Sequence, residues 1–162
     1  GDAPFTPPFV LREMIDTFRN NPRLEVVTPV HLLSWEELDE LREAKTTSPF
    51  SGTTAILDKD RRALWFSKNI LPAIRKEKDM RESGAPCPVW RHLGLYGFRP
   101  DVLEKFCALP AGYYEELEGL EQLRLIENGF RIQAVPVTIT GGIVHSGIDS
   151  PEDLARAEKL LT

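Results

Sequence analysis

The sequence predicts an α/β fold in which a sheet is covered by helices on both faces and a hairpin is inserted between elements. Segments with the apolar periodicity of a helix alternate with short β-branched runs along the chain. Two β-rich runs, at 53–57 and 63–67, flank a charged turn. The chain has 162 residues, of which 41% are hydrophobic, so it can bury one core. We therefore expect residues 1–162 to form a single domain.

The first predicted element is a helix over residues 9–20, because apolar side chains recur there at helical spacing. The expected apolar face is formed by Leu11, Ile15 and Phe18, with Val10 and Met14 beside them. A short β-branched run at 25–30 then predicts a buried strand.

The second predicted helix begins with a capping box. Ser34 and Glu37 have the spacing at which a hydroxyl and a carboxylate each bond a free backbone amide. The polar segment 44–50 is predicted to be a loop, and the hairpin follows it. After the hairpin, residues 68–88 hold seven charged residues between Arg75 and Glu82 and lack a periodic apolar face. This pattern predicts a solvated, mobile loop of a length that is often functional.

Residues 90–99 read as a strand whose two faces differ. Leu93 and Leu95 are expected in the core, whereas His92 and Tyr96 share the opposite face with Gly94. Trp90 and Phe98 also belong to that second face. The pattern suits the floor of a pocket, but it also suits a satisfied core histidine and a buried tyrosine ring.

The remaining elements are three helices and a strand. Pro100 suits the first turn of a helix ending near Ala108, and residues 114–128 are expected to form the longest helix. A strand follows at 132–137, and a last helix begins with its cap at Ser150.

Composition excludes several classes of protein. The net charge is −5 and no block of Lys or Arg stands out, so we expect no nucleic-acid partner. The sequence contains neither a run of about 20 apolar residues nor a signal-peptide pattern, so we expect no membrane association. Cys87 and Cys107 lack the spacing of a metal site or a disulfide framework, which favours a cytoplasmic location.

Three features are candidates for chemistry. Asp2 and Asp149 lie in turns at opposite ends of the chain, where two carboxylates suit Mg²⁺, although roles as a turn former and as a stabiliser of a helix start also explain them. Glu121 and Gln122 interrupt a leucine stripe, so they either edge a pocket or lie on a solvated surface. Arg75 has the chemistry to bind a carboxylate through two hydrogen bonds, as any exposed arginine has.

Six ordered segments match the motifs of one enzyme family. In the first half of the chain, GDAP at 1–4 matches the family motif QGDEP, RALWFSK at 62–68 matches ALYFSR, and ILP at 70–72 with Arg75 matches IPxxR. In the second half, RHLGLYGFR at 91–99 matches RHLGIYGYR, LEQLR at 120–124 is identical to the family motif, and GIDSPEDL at 147–154 matches GVDTPEDL. Through these segments the chain resembles the C-terminal two-thirds of a 3-deoxy-manno-octulosonate (Kdo) cytidylyltransferase, also called CMP-Kdo synthetase.

The resemblance implies a fold and a reaction. The fold would be part of a nucleotide-diphospho-sugar-transferase-like, Rossmann-like three-layer sandwich with a mixed sheet. The reaction would transfer a cytidylyl group from CTP to Kdo for lipopolysaccharide biosynthesis, with Mg²⁺ on Asp2 and Asp149 as the catalytic centre. The implied sugar-binding residues are His92, Tyr96, Glu121, Gln122 and Arg75. The family also pairs its protomers through this part of the chain, which implies a homodimer.

The chain departs from the family pattern at three places. Ala3 replaces the glutamate of QGDEP, Lys68 replaces the arginine of ALYFSR, and residues 49–54 replace PNxVK and lose its lysine. Two interpretations stay open: a different acidic sugar, such as an amino-substituted octulosonate, or a rearranged support for the same pocket.

The family's N-terminal phosphate loop, IPARxxSxRxPxKPL, has no counterpart in this sequence. We therefore expect the chain to be a fragment, with the N-terminal nucleotide-binding part absent, that is inactive alone. The alternative is a non-catalytic module of the same fold that binds an acidic sugar or dimerises. An upstream coding region with such a loop would favour the enzyme.

Overall fold

The computed structural model describes residues 6–139, which form an α/β fold, as predicted. Asp2, Asp149 and the helix expected from Ser150 lie outside these residues. No helix within 6–139 combines the length and the apolar character needed to cross a membrane. In chain order the elements are α1 (Pro8–Asn20), β1 (Val26–Leu32), α2 (Trp35–Thr47), β2 (Thr53–Leu57), β3 (Ala63–Ser67), α3 (Glu77–Glu82), β4 (Trp90–His92), β5 (Gly97–Phe98), α4 (Pro100–Ala108), α5 (Tyr113–Glu118), α6 (Gln122–Glu127) and β6 (Ile132–Pro136).

The described strands form one mixed sheet around β1. The order is β3-β2-β4-β1-β5, with β6 parallel to β1 and β4 and β5 antiparallel to it. Val30 pairs with His92 of β4 and with Pro136 of β6. Val26 pairs with Phe98 of β5 and with β6 as well. Strands β4 and β5 therefore share one edge of β1, and β6 occupies the other.

The strand expected over residues 90–99 is thus interrupted. Residues 93–96 leave the ladder between β4 and β5, and the Thr28 hydroxyl donates to the Leu95 carbonyl at 2.7 Å. The prediction of two faces still holds, because Leu93 packs with α1 whereas Tyr96 packs on the opposite core.

Helices cover both faces of the sheet, as expected. On one face, Val26 and Val30 pack with Val102 of α4 and Leu123 of α6. On the other face, Val27 packs with α1. Successive strand residues point to opposite faces, so the adjacent valines of β1 supply both cores.

The buried face of α1 differs from the expected one. Val10 and Met14 are buried, whereas Leu11 and Ile15 are 47% and 50% exposed. Both pairs have the same four-residue spacing and lie about 100° apart on the helix, so periodicity alone cannot choose between them. Packing against β1 and β6 selects the first pair.

The long helix expected over residues 114–128 is two short helices. Gly119 adopts a left-handed conformation with φ of 62° and ends α5, and α6 starts three residues later. Glycine is the residue that takes this conformation at least cost, which explains why the helix ends here. The leucine stripe continues across the break into the next helix. The capping box at Ser34 and Glu37 is confirmed, but α2 extends to Thr47 into the expected loop.

The segment 68–88 contains α3 and is held against α2 by charges. Arg42 donates to both carboxylate oxygens of Glu77, at 2.8 and 2.7 Å. Arg81 bonds Asp39 in the same way and stacks over Trp35. Hydrogen bonds from Arg42, and to a lesser extent from Arg81, lower the pKa of Glu77 to about 2. The prediction of a mobile loop was wrong for this part of the segment. Charged side chains that were expected in solvent form ion pairs between α2 and α3 instead.

Two glycines near β5 provide a test of the packing. A Cβ atom on Gly97 would lie 2.8 Å from side-chain atoms of Phe18 and Val27, whereas one on Gly94 would meet no described atom within 4 Å. We expect Gly97→Ala to lower the free energy of unfolding by about 1–3 kcal/mol, measured by urea unfolding. Gly94→Ala is the matched control and should change it little. Equal effects of the two substitutions would contradict the described packing.

Candidate functional site

His92 ends β4 in the middle of the sheet and is 7% exposed. It pairs with Val30 on one side and Thr53 on the other. Its Nε2 atom lies 2.8 Å from Thr28 Oγ1, which donates its own hydrogen to Leu95. The hydroxyl can therefore only accept from His92, so Nε2 carries the proton and Nδ1 keeps a lone pair. Nδ1 makes no hydrogen bond with any residue between 6 and 139.

The imidazole of His92 is neutral. Burial, and to a lesser extent the positive charge of Lys68, lowers the pKa of His92 to about 3. A neutral ring with a lone pair on Nδ1 can accept a hydrogen bond from a ligand hydroxyl. It is a poor candidate for a cation or a general acid near pH 7.

This pKa predicts a pH dependence of stability. Between pH 6.5 and 3 the unfolded chain protonates His92 whereas the folded one does not, so the free energy of unfolding falls as pH drops, by up to about 1.4 kcal/mol per pH unit. Urea unfolding gives the free energy of unfolding of the protein and of His92→Gln at each pH in this range. The value for the protein should fall relative to that for the variant as pH drops. A difference between the two that does not change with pH would contradict a neutral, buried imidazole.

Tyr96 lies beside His92, with ring centroids 5.5 Å apart. Burial raises the pKa of the Tyr96 phenol well above its usual range, and the carboxylate of Glu121 raises it further. The hydroxyl therefore stays protonated and can donate. Glu121, an exposed residue directly before α6, is close enough to Tyr96 for its charge to act on the phenol.

Gln122 is 2% exposed, and its Nε2 has no hydrogen-bond partner among the described residues. Burying such a group unpaired costs about 1–3 kcal/mol, so its presence needs an explanation. A ligand oxygen would supply the missing acceptor. Of the two alternatives left open for this pair, the solvated surface is wrong for Gln122.

The remaining predicted site residues are not joined to this group. Arg75 is exposed, in the segment before α3, and forms no ion pair with any described residue. Asp2 and Asp149 lie outside the described residues, so their expected meeting stays a prediction. Residues 6–139 contain no group of three or more His, Cys, Asp or Glu side chains placed to hold a metal ion.

Sequence reasoning missed three residues that shape the site. Thr28 is, with His31, one of two buried polar residues in β1, which was a usable signal. Lys68 was noted only as a departure from a motif, yet its charge acts on His92. Glu118 accepts hydrogen bonds from the Ser67 hydroxyl and the Lys68 amide. It was expected within a regular helix, and nothing in the sequence distinguished it from its acidic neighbours.

A family model described as "Cytidylyltransferase" matches residues 1–132. The chain belongs to the cytidylyltransferase family. Its relatives include proteins named 3-deoxy-manno-octulosonate cytidylyltransferase from Maricaulis maris (strain MCS10), 40% identical over 161 residues, and Chlorobium limicola (strain DSM 245), 32% identical over 161 residues. Each alignment includes 99% of this chain, which spans about 60% of the length of these cytidylyltransferases.

A solved cytidylyltransferase structure supports the same assignment. It is described as CMP:2-keto-3-deoxy-manno-octonic acid synthetase complexed with CTP. The TM-score is 0.76 at 29% identity, and the match includes 99% of this chain and 58% of that one. The nucleotidyltransferase-like fold expected from the sequence is thereby confirmed.

Proposed function

We propose that the full-length protein transfers a cytidylyl group from CTP to a 3-deoxy acidic sugar, Kdo or a close analogue, for lipopolysaccharide biosynthesis. The observation that carries this proposal is the unpartnered, buried amide of Gln122 in a motif shared with the family. Family membership and the names of the relatives support the reaction class.

The described side chains suit a polyhydroxylated ligand. His92 Nδ1 would accept from one sugar hydroxyl, and the Tyr96 phenol would donate to another. Gln122 would donate to a sugar oxygen and Glu121 would accept. A mixture of donors and acceptors that differ in direction fixes the orientation of a sugar ring. Arg75 would reach the carboxylate only if its segment approaches the ligand.

In the proposed reaction, the anomeric 2-hydroxyl oxygen of the sugar bonds to the α-phosphorus of CTP. The bond from that phosphorus to the bridging oxygen of the β-phosphate breaks, pyrophosphate leaves, and the hydroxyl proton is released to water. This chemistry depends on positioning more than on covalent catalysis, which suits a pocket built to orient the acceptor.

Asp2 and Asp149 would hold Mg²⁺, since carboxylate oxygens are the ligands this ion prefers. When bound, the ion supplies charge neutralisation at the phosphates. The described residues act at the sugar instead, which they bind and orient. Because His92 is neutral, it places no positive charge beside the hydroxyl that it contacts.

We also propose that the chain is one domain, the C-terminal part of a cytoplasmic enzyme, that is inactive alone and assembles as a homodimer. An aromatic surface favours pairing: Tyr113 and Tyr114 are exposed, and Tyr114 packs edge-on against Trp65 of the edge strand β3. Sedimentation analysis of the full-length protein would test the dimer.

The function is tested with the full-length protein, Mg²⁺, CTP and Kdo, with CMP-Kdo and pyrophosphate as the measured products. An amino-substituted analogue of Kdo and an aldose without a carboxylate serve as comparison acceptors. We expect product with one or both acidic sugars and none with the neutral one. Sugar binding without turnover would favour a non-catalytic sugar-binding module, and turnover of the neutral sugar would contradict the proposed substrate class.

A further inference from the structure

Lys68 follows β3 directly, and ionised side chains from two helices bond its backbone on both sides. Its amide N–H donates to Glu118 Oε2 at 2.8 Å. Its carbonyl oxygen accepts from the Lys45 ammonium at 2.6 Å. Hydrogen bonds to charged groups are stronger than those between neutral ones, so this peptide position is held more tightly than a strand end usually is.

Glu118, at the end of α5, holds the neighbouring residues as well. Its Oε1 accepts from the Ser67 hydroxyl at 2.8 Å, and Ser67 Oγ in turn accepts from the Asn69 amide at 2.9 Å. One carboxylate therefore fixes three consecutive residues where β3 ends.

Lys45 reaches the same point from the last turn of α2. Besides Lys68, its ammonium donates to the carbonyl oxygens of Pro49, Ser51 and Gly52. Burial lowers the pKa of Lys45, and the nearby positive charges of Lys68 and Arg91 lower it further. Lys45 therefore joins the chain that follows α2 to the end of β3.

Lys68 lies at the same end of the sheet as His92, because Thr54 of β2 pairs with Ser67 on one side and Thr53 pairs with His92 on the other. Its side chain is half-buried, and its positive charge helps to lower the pKa of His92. It forms no ion pair with any residue in the described part of the chain. A cation without a counter-ion, beside a neutral histidine, is suited to an anionic group of a ligand.

We infer that Lys45 and Glu118 are positioning residues that fix the backbone of Lys68 so that its ammonium meets the anionic group of the sugar substrate. This inference rests on the proposed function. Neither Lys45 nor Glu118 touches the sugar, and both act through Lys68. It follows that their substitution matters only while Lys68 carries its charge.

A double-mutant cycle in the full-length protein tests this dependence. We expect Glu118→Ala and Lys45→Met each to raise the KM for Kdo by about 10-fold, with kcat and the KM for CTP within about twofold. In the Lys68→Met background, the same substitutions should leave the KM for Kdo unchanged. In a Lys68→Arg background, which keeps the charge, they should raise it again. Glu118→Gln, which keeps one acceptor, replaces Glu118→Ala if the latter fails to fold.

Glu116→Ala and Lys78→Met are matched controls, because both side chains are exposed and Glu116 lies on the same short helix. They should not change any kinetic constant. Increases in the KM for Kdo that are equally large with and without the Lys68 charge would overturn the inference while leaving the proposed function intact. An unmodified protein that makes no CMP-sugar would instead overturn the proposed function.

Discussion

The Asp149→Asn variant of the full-length protein is expected to lose about 10³-fold in kcat while its unfolding curve changes little. Asparagine keeps the size of the side chain and removes the charge that a divalent ion needs, and ion-based charge neutralisation contributes several kcal/mol to such reactions. The measurement is the initial rate of CMP-sugar formation at saturating CTP and Mg²⁺, with circular dichroism to confirm folding.

Asp153→Asn is the matched control, since Asp153 belongs to the same GIDSPEDL segment. The alternative role for Asp149, stabilising the start of a helix, would make the two variants alike: each would lose up to about 1 kcal/mol of stability and keep its turnover. Near-normal kcat in Asp149→Asn would therefore contradict the metal assignment.

The Gln122→Leu variant is expected to change binding and stability in opposite directions. Removing a buried amide that lacks a partner should raise the free energy of unfolding by about 1–3 kcal/mol, because leucine has no polar group left unpaired. The same change removes the proposed donor to the sugar, so the KM for Kdo should rise about 10- to 100-fold. Urea unfolding and steady-state kinetics measure the two effects.

Gln133→Leu controls for the loss of an amide in general. The Gln133 amide donates to the carbonyl oxygens of Asp60 and Arg61 at 3.1 Å, so its removal should lower stability and leave the KM for Kdo unchanged. A Gln122→Leu protein that is destabilised in the same way would show that the amide is structural.

Elements with local signals were predictable from the sequence. The capping box of Ser34 and Glu37 needs only two side chains three residues apart, and it forms as expected. The hairpin of β2 and β3 also follows from neighbouring residues. The pocket floor was proposed from the alternation of side chains around His92 and Tyr96, and the two rings do lie side by side.

What escaped prediction depends on contacts between distant residues. The hydroxyl of Thr28 sets the tautomer of His92 across 64 positions of sequence. The ion pairs of Arg42 with Glu77 order a segment that looks mobile in isolation. The left-handed Gly119 breaks a helix whose leucine spacing gave no warning, because the same stripe fits one helix or two.

The most direct test of a sugar site at His92, Tyr96 and Gln122 is a crystal structure of the full-length protein with bound Kdo. Sugar oxygens are expected within about 3.2 Å of both Gln122 Nε2 and His92 Nδ1. A sugar bound elsewhere, with the Gln122 amide still unpartnered, would contradict it.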